Sequence, residues 1–306
     1  MSASSFAGAL QAARDAAAGQ HYPEGTLYVV ATPIGNLADV TLRALYVLGL
    51  VDALACEDTR HTQALLRAWG IDPPAAGWIA LHQHNEAESA QGVITRLMAG
   101  QRVAYVSDAG TPAISDPGAR LVAAVRAAGR AVVPLPGASS LTAALSVAGL
   151  AGAGEFVFSG FLPSKTGERD TVVARLAGEP RAVVVLEAPH RIEALARALA
   201  ALGERQLTVA RELTKQFEQI ETLAACDFSN WLATDSQRTR GEFVVVLHPA
   251  SIAAPSSDGD RVLAILMAEL PLASAVSLTA SVTGESRKTL YRKALLSQSK
   301  KTMLDF

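Results

Sequence analysis

The sequence predicts an α/β protein: two α/β domains followed by a small C-terminal helical tail. Three observations carry this prediction. The 306 residues, at roughly 150 per domain, suit two domains and an appendage. Half of the residues are hydrophobic, enough to bury two cores. From Thr26 onward, short β-rich runs alternate with helical stretches, the pattern of βαβ units and a mainly parallel sheet.

Residues 1–24, rich in Ala, Ser and Gln, are expected to form a flexible N-terminal arm, a weak helix at best. An N-terminal α/β domain is placed at 25–135. Its strands are expected at Thr26–Thr32, Ala53–Cys56, Arg102–Ser107 and Ala131–Pro134, its helices at Asp39–Leu48, Thr59–Trp69, Glu86–Met98 and Asp116–Ala128. Asp116 reads as a cap with Pro117 in the first turn, and Gly70 and Gly129 as helix stops. The C-terminal α/β domain, 136–249, carries β-rich runs at Glu155–Gly160, Ala182–Leu186, Leu207–Arg211 and Phe243–Leu247, with an amphipathic helix near Arg191–Leu202. A mixed sheet is expected there. Residues 250–306 are read as a linker and a basic helical tail. From Glu285 onward the cations Arg287, Lys288, Arg292, Lys293, Lys300 and Lys301 face only Glu285 and Asp305.

Composition excludes several classes. Lys+Arg 27 against Asp+Glu 29 is near balance, unlike a polycation or a disordered acidic chain. Two cysteines, Cys56 and Cys226, build neither a disulfide framework nor a four-cysteine zinc site. His82 and His84 share one face of a strand but lack an evident third ligand, so no metal is expected. The first 13 residues lack a basic region ahead of an apolar one, so a cytoplasmic setting is expected. The uncharged stretch 131–154 has the length to span a bilayer, but its density of Pro and Gly reads as strand, loop and short helix, and no membrane contact is expected.

Four loops stand at expected strand ends, where open α/β sheets place ligands. They are Ala31–Leu37, Ser107–Gly118, Leu135–Ser140 and Glu187–Arg191. None holds GxGxxG, GxxxxGK[ST] or GxSxG, so neither a dinucleotide or P-loop phosphate cradle nor a hydrolase elbow is supported. Charged clusters follow two further strands, at Glu57–His61 and Arg211–Lys215. Taken singly, such clusters are structural ion pairs as readily as chemistry. Several at one sheet edge favour a site.

Thr32-Pro33-Ile34-Gly35-Asn36-Leu37, Thr41–Leu45, Glu57-Asp58-Thr59-Arg60, Ser107-Asp108-Ala109-Gly110-Thr111-Pro112 and Arg211-Glu212-Leu213-Thr214-Lys215 occur in this order. Together they resemble the ribosomal RNA small subunit methyltransferase I family, within the tetrapyrrole-methylase-like superfamily. The resemblance runs from about Gly25 to Leu247 and on into the tail at Leu290-Tyr291-Arg292. It implies two α/β domains of the tetrapyrrole-methylase type with S-adenosyl-L-methionine (SAM) in the cleft between them, in a homodimer. The acceptor it implies is the ribose 2′-hydroxyl of a cytidine in the decoding region of 16S ribosomal RNA, in the small ribosomal subunit.

Carried over motif by motif, the donor site comprises Pro33, Asp108, Ala109, Gly110, Ala113, Ser139, Ser140, Ala188, Ala210 and Thr214. Two segments depart from the usual pattern. Ala138-Ser139-Ser140 stands where relatives often have Pro-Cys-Ala, and Ala188-Pro189 replaces the Ser-x of Glu-Ser-x-His-Arg; both keep small residues at the wall. Glu57, Glu187 and His190 are the candidates for orienting or deprotonating the hydroxyl. Arg60, Lys165, Arg169, Arg191, Lys215, Arg287, Lys288 and Arg292 are the candidate RNA contacts, with Gly160–Lys165 as a substrate loop. Two alternatives stand beside this reading: a SAM-dependent C-methylase of corrin precursors, and a non-catalytic ribosome-assembly factor on the same fold.

Overall fold

The computed structural model describes residues 6–81, 85–114, 118–150, 154–250 and 258–302. The expected cap Asp116–Pro117 and the pair His82 and His84 lie outside these residues. Contacts divide the chain into two units, Met1–Pro249 and Ala250–Phe306.

The first unit contains two five-stranded sheets. The first is built from β1 (Thr26–Val30), β2 (Ala53–Cys56), β3 (Trp78–Ala80), β4 (Val103–Val106) and β5 (Ala131–Leu135), in the order β3-β2-β4-β1-β5. All its pairings are parallel. Its strands are near-continuous apolar runs because helices cover both faces. On one face Tyr28, Val30, Leu54 and Val106 pack against α2 (Leu42–Leu50) and α3 (Thr59–Trp69). On the other, Leu27, Ala55, Val103 and Tyr105 meet α4 (Glu86–Met98) and α5 (Gly118–Ala127).

The caps follow local chemistry. Thr41 accepts from the Ala44 N–H to start α2, and Asp58 caps α3 by accepting from the Arg60 and His61 N–H groups. Gly70 ends α3 in the left-handed conformation, as expected of a helix stop.

The N-terminal segment differs from the expected mobile arm. Ala7–Ala17 forms a helix, α1, whose Ala13, with Phe6 just before it, is buried in the core beside α2. The alanines that give it weak apolar character also let it lie close to its neighbour.

The second sheet is mixed, with order β6-β7-β10-β8-β9. It comprises β6 (Phe156–Phe161), β7 (Ala182–Glu187), β8 (Gln206–Arg211), β9 (Gln219–Ala224) and β10 (Phe243–Leu247). Only β6 and β7 are parallel; β10 runs antiparallel to β7 and β8, and β9 antiparallel to β8. One face, through Val183, Val185, Val209 and Val245, packs on α7 (Thr166–Leu176), α8 (Ile192–Leu199) and α9 (Phe228–Ala233). The opposite face, through Val184, Ala210 and Val244, buries α6 (Ser140–Val147) and Ile34 from the loop after β1. Ile34 and α6 thus tie the two sheets together. The strands β3 and β9 and the helices α1, α7 and α9 were not expected from sequence.

One packing contact gives a direct test. Gly118 opens α5 against the fully buried Tyr105, and a Cβ there would overlap the tyrosine ring. Gly118→Ala is expected to lower stability by about 1–3 kcal/mol through overpacking, read as a fall of several degrees in Tm. An unchanged Tm would show that this junction accommodates a methyl group.

The second unit is three helices: α10 (Asp258–Glu269), α11 (Leu272–Thr283) and α12 (Arg287–Thr302). Leu263, Ala275, Val276, Leu290 and Ala294 form its core. Gly284, left-handed at φ +74°, ends α11 and lets the chain turn into α12. Among the described residues no helix is long and apolar enough to cross a membrane.

Candidate active site

Loops from both sheets converge on one cleft in the first unit, and the β4–α5 loop is their hub. Thr32 and Gly110 exchange two backbone hydrogen bonds of 2.9 and 3.0 Å, joining the loops after β1 and β4. The Thr111 hydroxyl donates to the Ala138 carbonyl at 3.0 Å, which ties in the loop before α6. Asp108 accepts from the Asp58 N–H at 3.2 Å, which ties in the loop after β2. Strand order reverses around β4 and β1, the position where ligands bind in open α/β sheets. Ala113 holds φ +69°, a conformation that costs a non-glycine residue energy and clusters at ligand sites.

Two adjoining cavities lie along this edge. The first, about 350 Å³, is mainly apolar, lined by Ile34, Ala210, Leu213 and Val244, with Glu187 and Ala188 at one side. The second, about 500 Å³, is more polar and is lined by Glu57, Ser107, Asp108, Thr111 and Ser139. Ala109, Ser140, Phe161, Leu186 and Glu242 line both. Each volume falls in the usual range for small-molecule sites, ~300–1,000 Å³.

Glu187 ends β7 and is 2% exposed. Its Oε1 accepts from the Ala188 N–H at 2.9 Å and meets Arg191 Nε at 3.0 Å. Its Oε2 is buried with no hydrogen-bond partner in the protein. Leaving a buried carboxylate oxygen unsatisfied is costly, and this one belongs to a covered side chain whose residue borders the apolar cavity. A cavity that is apolar along its length with one such acceptor suits a nucleoside-like group. The residues present therefore fit the adenosyl donor that the sequence implies.

Opposite lies a charged clamp. Glu212 Oε1 accepts from Lys215 Nζ at 2.9 Å and from the Glu242 N–H at 3.0 Å, while Lys215 Nζ also meets Glu242 Oε2 at 3.0 Å. Burial alone would raise the Glu212 pKa, but the Lys215 ammonium and the Glu242 N–H outweigh it and hold the carboxyl below its ordinary value. Burial likewise opposes the Lys215 charge, yet the two carboxylates hold that ammonium above its ordinary value. Glu212 and Thr214 sit at φ +51° and +65°. Gly35 is what admits the clamp, since a Cβ there would overlap the Lys215 stem. The N–H groups of Arg60 and then His61 lower the pKa of Asp58, whereas burial pushes the Cys56 thiol up to about 11. That thiol stays protonated and unreactive at neutral pH.

The expected donor-site residues fall mostly on these walls. Asp108, Gly110 and Ser139 line the polar cavity, Ala188 and Ala210 the apolar one, and Ala109 and Ser140 both. Pro33 is buried in the loop after β1, and Thr214 lies against Gly35; neither lines either of these two cavities, nor does Ala113. Of the expected proton-handling residues, Glu57 and Glu187 reach different cavities, while His190 is exposed and lines neither.

Three of the expected RNA contacts are engaged within the protein. Arg169 is only 5% exposed and donates to the Ser164 carbonyl at 3.3 Å. Arg191 is held by Glu187 and by the Leu162 carbonyl, and Lys215 by the clamp. Each of these cations meets an anion or carbonyl that sequence spacing does not reveal. Arg60 and Lys165 are exposed, the latter paired with Glu168 at 3.1 Å. In the second unit Arg287, Lys288 and Arg292 are exposed on α12, whereas Lys293 is tied to Asp260 at 2.7 Å and Glu285 at 3.6 Å. Glu242 and Leu186, shared by both cavities, were not singled out from sequence; a Gly-Glu pair opening a β run was the only signal for Glu242.

Among the described residues no group of three His, Cys, Asp or Glu is placed to hold a metal ion. Residues 26–226 match the family of Tetrapyrrole (Corrin/Porphyrin) Methylases, and residues 253–298 match the RsmI C-terminal HTH domain. Among solved structures, a cobalt precorrin-4 methyltransferase superposes with a TM-score of 0.54 at 17% identity, over 74% of this chain and 98% of that one. The uroporphyrin-III C-methyltransferase of Thermus thermophilus gives 0.51 at 20% identity, over 74% and 96%. At such identities these share the fold. Proteins named Ribosomal RNA small subunit methyltransferase I are far nearer. That of Pseudomonas aeruginosa is 46% identical over 90% of this chain and 99% of its own, and that of Neisseria meningitidis serogroup A 47% over 94% and 97%. On this likeness, spanning both the methylase fold and the helical tail, the chain belongs to the ribosomal RNA small subunit methyltransferase I family.

Proposed function

We propose that this chain transfers a methyl group from SAM to the ribose 2′-hydroxyl of a cytidine in the decoding region of 16S ribosomal RNA. The observation that carries the reading is the paired cavity, apolar on one side and carboxylate-bearing on the other, at the switch point of the first sheet. The near relatives are named for ribosomal RNA, whereas the tetrapyrrole methylases share the fold at 20% identity or less, so the RNA acceptor is preferred over a corrin precursor.

SAM, when bound, supplies a methyl group already activated on a sulfonium. Ala188, Ala210 and Ser140 would hold it along the apolar wall, and Asp108, Ala109, Gly110 and Ser139 where the wall turns polar. Pro33, Ala113 and Thr214 would hold the loops that shape this wall. Glu187, fixed by Arg191 and the Ala188 N–H, offers its remaining oxygen as an acceptor. Glu57, which lines the polar cavity, would orient the ribose hydroxyl and take its proton. Holding the acceptor oxygen in line is where much of the rate arises, which is why the clamp and the loop ties matter. Arg60 and Lys165 at the surface, with Arg287, Lys288 and Arg292 of α12, supply phosphate contacts. A homodimer working in the cytoplasm completes the proposal, on the strength of the family resemblance.

The test is labelled-methyl incorporation by purified protein into small ribosomal subunits and into uroporphyrinogen, with mass-spectrometric mapping of the nucleotide in cells with and without the gene. Methylation of a cytidine 2′-oxygen that disappears with the gene supports the proposal. Label in uroporphyrinogen alone, or tight SAM binding with no turnover, overturns it.

A further inference from the structure

The edge strand β6 contains an irregularity that redirects one aromatic side chain. Phe156, Val157 and Phe158 pair in parallel with Ala182, Val183 and Val184, but the next pair is Gly160 with Val185, and then Phe161 with Leu186. Ser159 is thus the extra residue of a bulge, and Gly160 takes φ +59°, which glycine alone adopts without strain.

Strict alternation would put Phe158 and Phe161, three residues apart, on opposite faces of the sheet. The bulge brings both to one face. Val184 and Leu186, their partners in register, belong to the side facing the cleft, and Phe158, Phe161 and Leu186 line the polar cavity together. Leu162, immediately after, returns to the opposite core and is 3% exposed. Phe161 itself stays 53% exposed at the junction of the two cavities. Its strand end is held rigid from behind by Arg191, whose guanidinium donates to the Leu162 carbonyl.

A rigid strand end with a half-exposed aromatic ring, aimed over a cavity by a dedicated bulge, lacks a packing rationale. It has the attributes of a surface for a planar guest. We infer that Phe161 is the platform on which the base of the acceptor nucleotide stacks once it is drawn out of its RNA context. This deepens the proposed function and rests on it. Enzymes that do chemistry on a base extrude it and stack it between aromatic or apolar side chains, and single-stranded segments are held by base–aromatic stacking that tolerates any base because each has a π-face. Phe161 would therefore position the sugar beside Glu57 while leaving the choice of base to other groups.

The experiment compares wild type with Phe161→Ala, Phe161→Leu and Phe161→Trp in the full-length protein, using small ribosomal subunits as substrate. KM for subunits, single-turnover rate and SAM affinity by calorimetry are measured alongside Tm. Stacking on RNA predicts that F161A and F161L raise KM roughly 5- to 100-fold, that F161W restores it, and that SAM affinity and Tm hold. A merely structural role would not be rescued by a ring and lost with the similarly apolar Leu. Loss of SAM affinity would instead place the ring on the donor and overturn the inference, as would F161A with wild-type KM and rate. Absence of methylation by the wild type would topple the underlying function first, and is distinguishable from both.

Discussion

Glu187→Ala is expected to weaken donor binding and to destabilise the first unit by about 3 kcal/mol, the cost of leaving a largely buried guanidinium without its carboxylate. At roughly 2–4 °C per kcal/mol for a unit of this size, Tm should fall by roughly 6–12 °C. The cost lies at the low end for broken buried pairs because the Arg191 side chain is 23% exposed and keeps its bond to the Leu162 carbonyl. Glu187→Gln separates the two effects. The amide keeps the shape and one acceptor oxygen, which can still receive the Ala188 N–H, but it turns an N–H₂ group toward the place of the unpartnered Oε2. A hydrogen bond to a charged acceptor is worth about 1.5–3 kcal/mol, so SAM affinity in the folded Gln variant should drop roughly 10- to 100-fold. Calorimetric titration with SAM checks this. Wild-type affinity in Glu187→Gln would mean that the orphaned oxygen faces no donor group.

Glu187 also shows what was legible beforehand and what was not. A carboxylate at the end of a Val-rich run is visible as a strand-end acid, and the loops at Ala31–Leu37 and Ser107–Gly118 are visible from their turn chemistry. These features are local, so sequence displays them. Partnerships across the chain are not local. Arg169 and Arg191 read as free cations, yet one closes on Ser164 and the other on Glu187 and Leu162. The bulge at Ser159 escapes a period-of-two reading, because one inserted residue reverses every later side-chain assignment. Strand β9 was missed for a related reason: at the edge of a sheet its Gln, Glu and Thr need only one apolar side. Helix α1 lacks a strong periodic signal, and its place is settled by small alanines packing against α2 rather than by its own propensity.

Replacing Arg287, Lys288 and Arg292 together by Ala is expected to weaken RNA binding roughly 10- to 100-fold at moderate salt, and to flatten the slope of log affinity against log salt by about 2 to 3. These three side chains stand exposed on α12 beside Tyr291, while the helix core is closed by Leu290 and Ala294. Removing them therefore deletes charge without touching packing, and SAM affinity and Tm should stay at wild-type values. Lys293 provides the internal control. It lies on the same helix, but Asp260, foremost, and Glu285 hold its ammonium above the ordinary lysine value. A cation already neutralised by two carboxylates releases few counterions when RNA arrives, so Lys293→Ala should leave the salt slope alone. If the triple variant keeps the wild-type slope, or if Lys293→Ala shifts it as much as the triple does, phosphate recognition does not reside on this face of α12. The contrast is between three exposed cations and one cation of the same helix that is already paired inside the fold.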